Sequence, residues 1–301
     1  DDIVSARSDG LSDAEIMSSL FAKMCYRSLT VKHNSNVTRV RDIEPNLKNM
    51  FNTGHGSVFE HVWFNFIVDD CSRVFTHELV RHRVGTAFSQ TSGRYCRIDQ
   101  LNIVWDPILD PVKDLWNSHL ALTEDLIYLT ECKLGLRKPV PCNPQDVASM
   151  ADPTYSLKCR AKGEHELADL FRWVPDDSFN FEKRKKITSA IRRIAPNGQE
   201  NEIGFSVNLR ALRHTMLMRT AAFAEWEIRY VFAEIYHALK LQFPMMFYGA
   251  KERQVEGITE VYGMKCQPYE KSAEMVLDEM TDQEVALFVK TRPNVMKNLT
   301  A

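Results

Sequence analysis

Arg81-His82-Arg83 and Arg94 place three arginines and a histidine within fourteen residues, with hydroxyl groups, Ser92 and Gly93 between them. A guanidinium is a planar fork that grips phosphate oxygens two at a time, and glycine lets backbone N–H groups come close. This composition suits an anionic ligand. It is also what a solvated basic helix end looks like, since cations are favoured at a helix C-terminus. A second block, His55-Gly56-Ser57-Val58-Phe59-Glu60-His61, gathers two histidines and a carboxylate within seven residues. Its spacing is not that of a helical zinc motif and no cysteine lies nearby, so no metal site is expected. A third block is Asn208-Leu209-Arg210, then Arg219-Thr220, then Trp226-Glu227-Ile228. No acidic residue stands four positions before or after Arg219, so helical ion pairing does not account for it.

The elements that carry these blocks are partly legible. Ser12-Asp13-Ala14-Glu15 is a capping box, followed by Ile16, Leu20 and Met24 on one helical face. A short helix is expected near 47–51 and a strand over 61–68, with Phe64, Phe66 and Val68 on one side. Residues 69–72 cap a helix running into Arg81-His82-Arg83, and Gly85 stops it; 86–93 then reads as a polar loop. Leu115, Leu122, Leu126 and Leu129 mark a helix over about 111–136. Residues 137–181 read as an irregular insertion. Helices are expected at about 182–195, 207–218 and 221–241. In the last two, Leu209, Leu212, Met216, Leu217, Trp226, Ile228, Val231 and Phe232 are the core candidates. The tail after 250 reads as turns with one amphipathic helix near 282–290. The expected fold is α+β: a helix-rich single domain over 1–250 with a small antiparallel sheet and a 251–301 extension.

Composition narrows the function. Lys plus Arg is 38 and Asp plus Glu is 40, a formal net charge of −2. Proteins that live on nucleic acid draw much of their affinity from a basic excess, and none is present here. Phosphate recognition must be local. The seven cysteines form no CxxC pair and suggest free thiols in a reducing cytoplasm. No apolar run is long enough to span a bilayer, and the opening residues lack the basic and apolar regions of a signal peptide.

In order and approximate spacing the blocks resemble the flavin-dependent thymidylate synthase (ThyX) family. That family carries Arg-His-Arg, a short loop, then Ser and an Arg-Tyr pair, matched by Arg81-His82-Arg83 and Ser92-Gly93-Arg94-Tyr95. Gly54-His55, Ser57 and Phe59-Glu60-His61 match upstream; Arg192 with Pro196, Asn208-x-Arg210, and Arg219 before Trp226-Glu227-Ile228 match downstream. The resemblance implies FAD held by His55, Ser57, Arg81, His82, Arg83, Gln90, Asn208, Arg210 and His214. It implies dUMP held by Glu78, Gln90, Ser92, Gly93, Arg94, Arg192 and Arg219, with Arg219 against the uracil ring. The implied reaction moves a one-carbon unit from methylenetetrahydrofolate to C5 of dUMP and reduces it to a methyl group, with NADPH as reductant. The implied assembly is a homotetramer with sites between subunits.

The pattern also departs from the family. Eight residues, Val84 to Thr91, separate Arg83 from Ser92, one more than is usual. Glu78 stands where Gln is common, His214 where Asn is expected and Phe223 where His is frequent. These changes leave room for a relative that makes a different C5-modified pyrimidine nucleotide, such as hydroxymethyl-dUMP. Retention of Arg219 favours uracil over cytosine, because cytosine has no N3 proton to lose.

Overall fold

Ser12 starts the first helix as its sequence requires: its hydroxyl accepts from the Glu15 N–H at 3.3 Å, and its own N–H donates to Glu15 Oε2 at 2.8 Å. A computed structural model describes residues 10–31, 34–95, 102–141, 171–176, 178 and 180–265. The chain divides into two compact units. One comprises Asp1–Trp63, Asn208–Ala224 and Val231–Ala301; the other comprises Phe64–Val207 and Glu225–Tyr230.

The first unit holds α1 (Asp13–Cys25), α2 (Ile43–Thr53), a 3-10 helix Gly56–His61 and α6 (Leu209–Arg219). It also holds all but the first residues of α7 (Trp226–Gln242) and the hairpin of β6 (Lys251–Val255) with β7 (Ile258–Tyr262). Apolar residues at helical spacing turn one way and make the core: Leu47, Met50, Phe51, Phe59, Leu209, Leu212, Met216, Phe232, Tyr236 and Met246 are all buried. Glu15 is buried too. Its second oxygen accepts the Met245 N–H at 3.1 Å, so one carboxylate caps α1 and fixes the chain after α7.

The second unit is organised by a three-stranded sheet in the order β1-β5-β2, from β1 (Trp63–Ser72), β5 (Glu200–Asn208) and β2 (Thr86–Gln90). β2 pairs with β5 antiparallel, Phe88 opposite Phe205. Phe64, Phe66, Phe88 and Phe205 form an aromatic row on this sheet, with Phe66 and Phe205 stacked at 4.9 Å. α3 (Arg73–Leu79), α4 (Lys113–Lys133) and α5 (Phe181–Ile191) complete the unit, together with the pair β3 (Arg137–Pro141) and β4 (Phe171–Pro175). Ile127, Leu136 and Ile191 make a core cluster with Ile103, Ile187 and Ile194 around it.

The helix-rich α+β class is as expected, and the start of the sheet lies in the expected strand. Five local expectations change. The segment expected as a loop over 86–93 is β2 for its first five residues, because β5 supplies a partner over one hundred residues downstream. The ends of the 137–181 stretch pair as β3 and β4 instead of being irregular; its middle lies outside the described residues. α3 stops at Leu79, so Arg81-His82-Arg83 occupies the turn beyond it rather than the helix. On α4 the leucine spacing is helical, but Leu115, Leu122 and Leu126 are exposed and Thr123, Ile127 and Glu131 are the buried face. After residue 250 the chain forms a hairpin, and the helix expected near 282–290 lies outside the described residues.

Candidate functional site

The site residues fall into two clusters, one in each unit. In the second unit, β2 ends at Gln90, whose amide donates to the buried Thr76 hydroxyl of α3 at 3.0 Å. The Thr91 N–H donates to the Glu202 carbonyl at 3.0 Å, and Ser92 to Tyr95 closes a turn through the Tyr95 N–H to the Ser92 carbonyl at 3.0 Å. The stretch before Ser92 is thus a strand with a fixed register. Gly93 sits at a close approach: a Cβ there would lie 3.1 Å from Arg73 Nη2 and 3.7 Å from Arg192 Cδ. The turn therefore presents its backbone beside the Arg73 guanidinium and the side-chain stem of Arg192.

Arg73 was not among the residues marked by sequence. It is the first residue of α3, where a cation gains nothing from the helix dipole, and that misplacement was its only signal. Its backbone is pinned, since the Arg73 N–H donates to the Gln199 carbonyl and the Val74 N–H to the Asn197 carbonyl, both at 3.2 Å. Just before it, Ser72 caps α3 and is held by buried Glu227. The Ser72 N–H donates to Glu227 Oε1 at 2.7 Å and its hydroxyl donates to the other oxygen. Among the described residues neither Arg73 nor Arg192 has a carboxylate partner. Burial lowers the pKa of Arg73, and the neighbouring Arg192 charge lowers it further. Two cations held this way favour an anion between them. Arg81, Arg83 and Arg94 are exposed around the same stretch, while Glu78 and His82 are half-buried.

In the first unit, the Gly56–His61 turn packs on α6. A Cβ on Gly56 would lie 3.0 Å from Arg210 Nε, and Arg210 pairs with Glu60 across a half-exposed surface. His55 Nε2 shares a hydrogen bond with the Tyr26 hydroxyl at 3.2 Å. His61 stacks on Phe21 at 4.2 Å, so the two histidines and Glu60 each have separate partners. Ser57 and His214 are exposed. Asn208 is buried and uses its side-chain oxygen to cap α6 through the Ala211 N–H at 2.9 Å. Arg210 and His214, four residues apart, share one face of α6; Arg219, at its last residue, lies about half a turn round from Arg210. A small pocket in this unit is lined by Gly54, Gly56, Phe59, Arg210, Arg213 and Phe51, among others.

The donor set fits the expected ligands. The Arg73–Arg192 pair with the Gly93 turn suits a phosphate dianion. His55, Ser57 and Arg210 at a glycine turn suit a dinucleotide's phosphates and ring edges. A cysteine nucleophile is not offered by Cys71: it is buried, and burial beside the Glu227 charge pushes its thiol up to about 12. Among the described residues no group of three His, Cys, Asp or Glu side chains could hold a metal, and no helix is long and apolar enough to cross a membrane.

A family model described as thymidylate synthase complementing protein matches residues 9–245. The chain is 27% identical over 254 residues to the flavin-dependent thymidylate synthase of Clostridium tetani, covering 84% of this chain and 88% of that one. It is 30% identical over 225 residues to the flavin-dependent thymidylate synthase of Mycobacterium tuberculosis, covering 75% of each. A solved Thymidylate Synthase X from Helicobacter pylori with FAD and dUMP aligns over 78% of this chain and 92% of that chain. Its TM-score is 0.42 and its identity 16%, a likeness too slight to argue from. The family match spans most of the chain and takes in both clusters, so the chain belongs to the Thy1 family of thymidylate synthase complementing proteins.

Proposed function

We propose that this chain is a flavin-dependent thymidylate synthase that converts dUMP to dTMP with methylenetetrahydrofolate as the carbon source. The observation that carries this reading is the Arg73–Arg192 pair beside the Gly93 turn, an anion site without a carboxylate, in a member of this family. The phosphate of dUMP takes that place, with Ser92, Gly93 and Arg94 contributing from the turn. Gln90, at the end of β2, and Glu78, on α3, hold the nucleoside. Arg219 sets its cation against the uracil. As N3 gives up its proton, that fixed charge stabilises the anion spread over N3 and O4, and electron density rises at C5. The new bond then forms between C5 and the methylene carbon carried by the folate. The N3 and C5 protons pass to water, the carbon–nitrogen bond to the folate breaks to release tetrahydrofolate, and no thiol has to add at C6.

FAD would be held by His55, Ser57, Asn208, Arg210 and His214 with Arg81, His82, Arg83 and Gln90, and when bound it supplies the hydride taken from NADPH. The protein's own part is to bind, orient and keep charge in place. The reading includes a homotetramer with sites shared between subunits, working in a reducing cytoplasm.

The test is to incubate the protein with FAD, NADPH, methylenetetrahydrofolate and dUMP and to weigh the product nucleotide. A gain of one methyl group supports the reading; a hydroxymethyl product, or none with flavin bound, overturns it. Arg73→Gln should weaken dUMP affinity by about 10-fold or more, the worth of one charge-assisted contact, and leave FAD content unchanged. Equal dUMP affinity in the variant would remove Arg73 from the site.

A further inference from the structure

We propose that the β6–β7 hairpin is a strut that positions Arg219, acting through Thr220. The inference rests on the role given to Arg219 above. The hairpin, Lys251 to Tyr262, lies beyond the residues 9–245 that match the family model.

A helix end leaves carbonyls without partners and tends to fray, which would blur any side chain on its last turn. Arg219 is the last residue of α6. Thr220, directly after it, is fully buried. Its hydroxyl donates back to the Met216 carbonyl at 2.8 Å and accepts the Val261 N–H of β7 at 2.9 Å. One oxygen thus closes the helix and ties it to the strand. The strand itself is anchored, since Ile258, Thr259, Glu260 and Val261 are all buried. Thr259 Oγ1 shares a hydrogen bond with His237 Nε2 of α7 at 3.0 Å, and the Tyr236 hydroxyl donates to Glu252 at 2.8 Å. The residue that follows Arg219 is therefore tied to α7 through the hairpin. Thr220 and β7 are positioning elements; Arg219 is the group that meets the substrate.

The test is a double-mutant cycle on turnover of dUMP by the FAD-loaded protein. Thr220→Val removes the hydroxyl and should lower kcat about tenfold, the scale of a displacement below 1 Å, with FAD content retained. Thr220→Ser keeps the hydroxyl and should restore kcat to within about twofold of the parent. In an Arg219→Ala background Thr220→Val should cost nothing further, because its effect passes through the missing side chain. Thr259→Val, which loosens the hairpin from α7 without touching α6, should give a smaller loss that also vanishes in that background. It keeps the test open should Thr220→Val fail to fold. Full kcat in Thr220→Val, failure of serine to rescue, or an equal loss in the Arg219→Ala background would each overturn the strut. A fully active Arg219→Ala protein would instead overturn the role of Arg219 itself.

Discussion

Arg219→Ala should lower kcat/KM for dUMP by about 10²- to 10³-fold, the cost of deleting one preorganised donor aimed at developing charge. The effect is one of differential binding. Neutral uracil gains little from a cation beside it, whereas the N3 anion gains a great deal, so the loss belongs in kcat more than in KM. Arg219 is half-buried, which keeps the local dielectric below that of water and strengthens the interaction. Arg219→Lys should recover part of the rate, because it restores the charge but not the planar fork. The measurement is steady-state turnover, with flavin absorbance confirming that cofactor is bound. Activity within tenfold of the parent in Arg219→Ala would exclude this residue from the chemistry.

What sequence disclosed and what it hid follow the range of the interactions. The capping box at Ser12, the Ser72 and Asn208 starts of α3 and α6, and the buried faces of α6 and α7 all rest on contacts within a few residues. They were legible for that reason. β2 was not. Thr86-Ala87-Phe88-Ser89-Gln90 is short and mostly polar, and it becomes a strand only against Glu200–Asn208. β5 carries a period-two signal, with Ile203, Phe205 and Val207 turned inward, but it runs straight into a capped helix that masks it. The β6–β7 turn uses Glu256 and Gly257, both at positive φ, where Asn-Gly or Asp-Gly would have announced a hairpin. On α4 the spacing gave the helix but not its face, since leucines at helical intervals do not say which side has a neighbour. The site divides in the same way. The motif arginines could be picked out by spacing, but Arg73 could not, because nothing local links it to Gly93 or Arg192.

Arg213 shows the reverse case, an arginine between two site candidates whose work is structural. Arg213→Ala should destabilise the protein by about 4 kcal/mol, read as a fall in the urea midpoint at constant slope. The side chain is buried, and its Nη1 donates to the Met246 carbonyl at 2.6 Å. Its Nη2 donates to the Tyr248 carbonyl at 3.2 Å and the Lys265 carbonyl at 3.3 Å. Its guanidinium lies 4.3 Å from the centre of the Phe51 ring. The ring contact contributes about 1 to 2 kcal/mol. The three carbonyls decide the size of the effect, because each loses a charge-assisted donor and Met246, at least, is buried with no water to replace it. Arg213→Met should therefore recover packing but little stability, staying within about 1 kcal/mol of the alanine variant. A loss below about 1 kcal/mol in Arg213→Ala would mean that the segment after α7 is not fixed to α6 through this side chain. Arg213 also lines the small pocket with Arg210 and Gly56, so the alanine variant should hold FAD more weakly even where it remains folded.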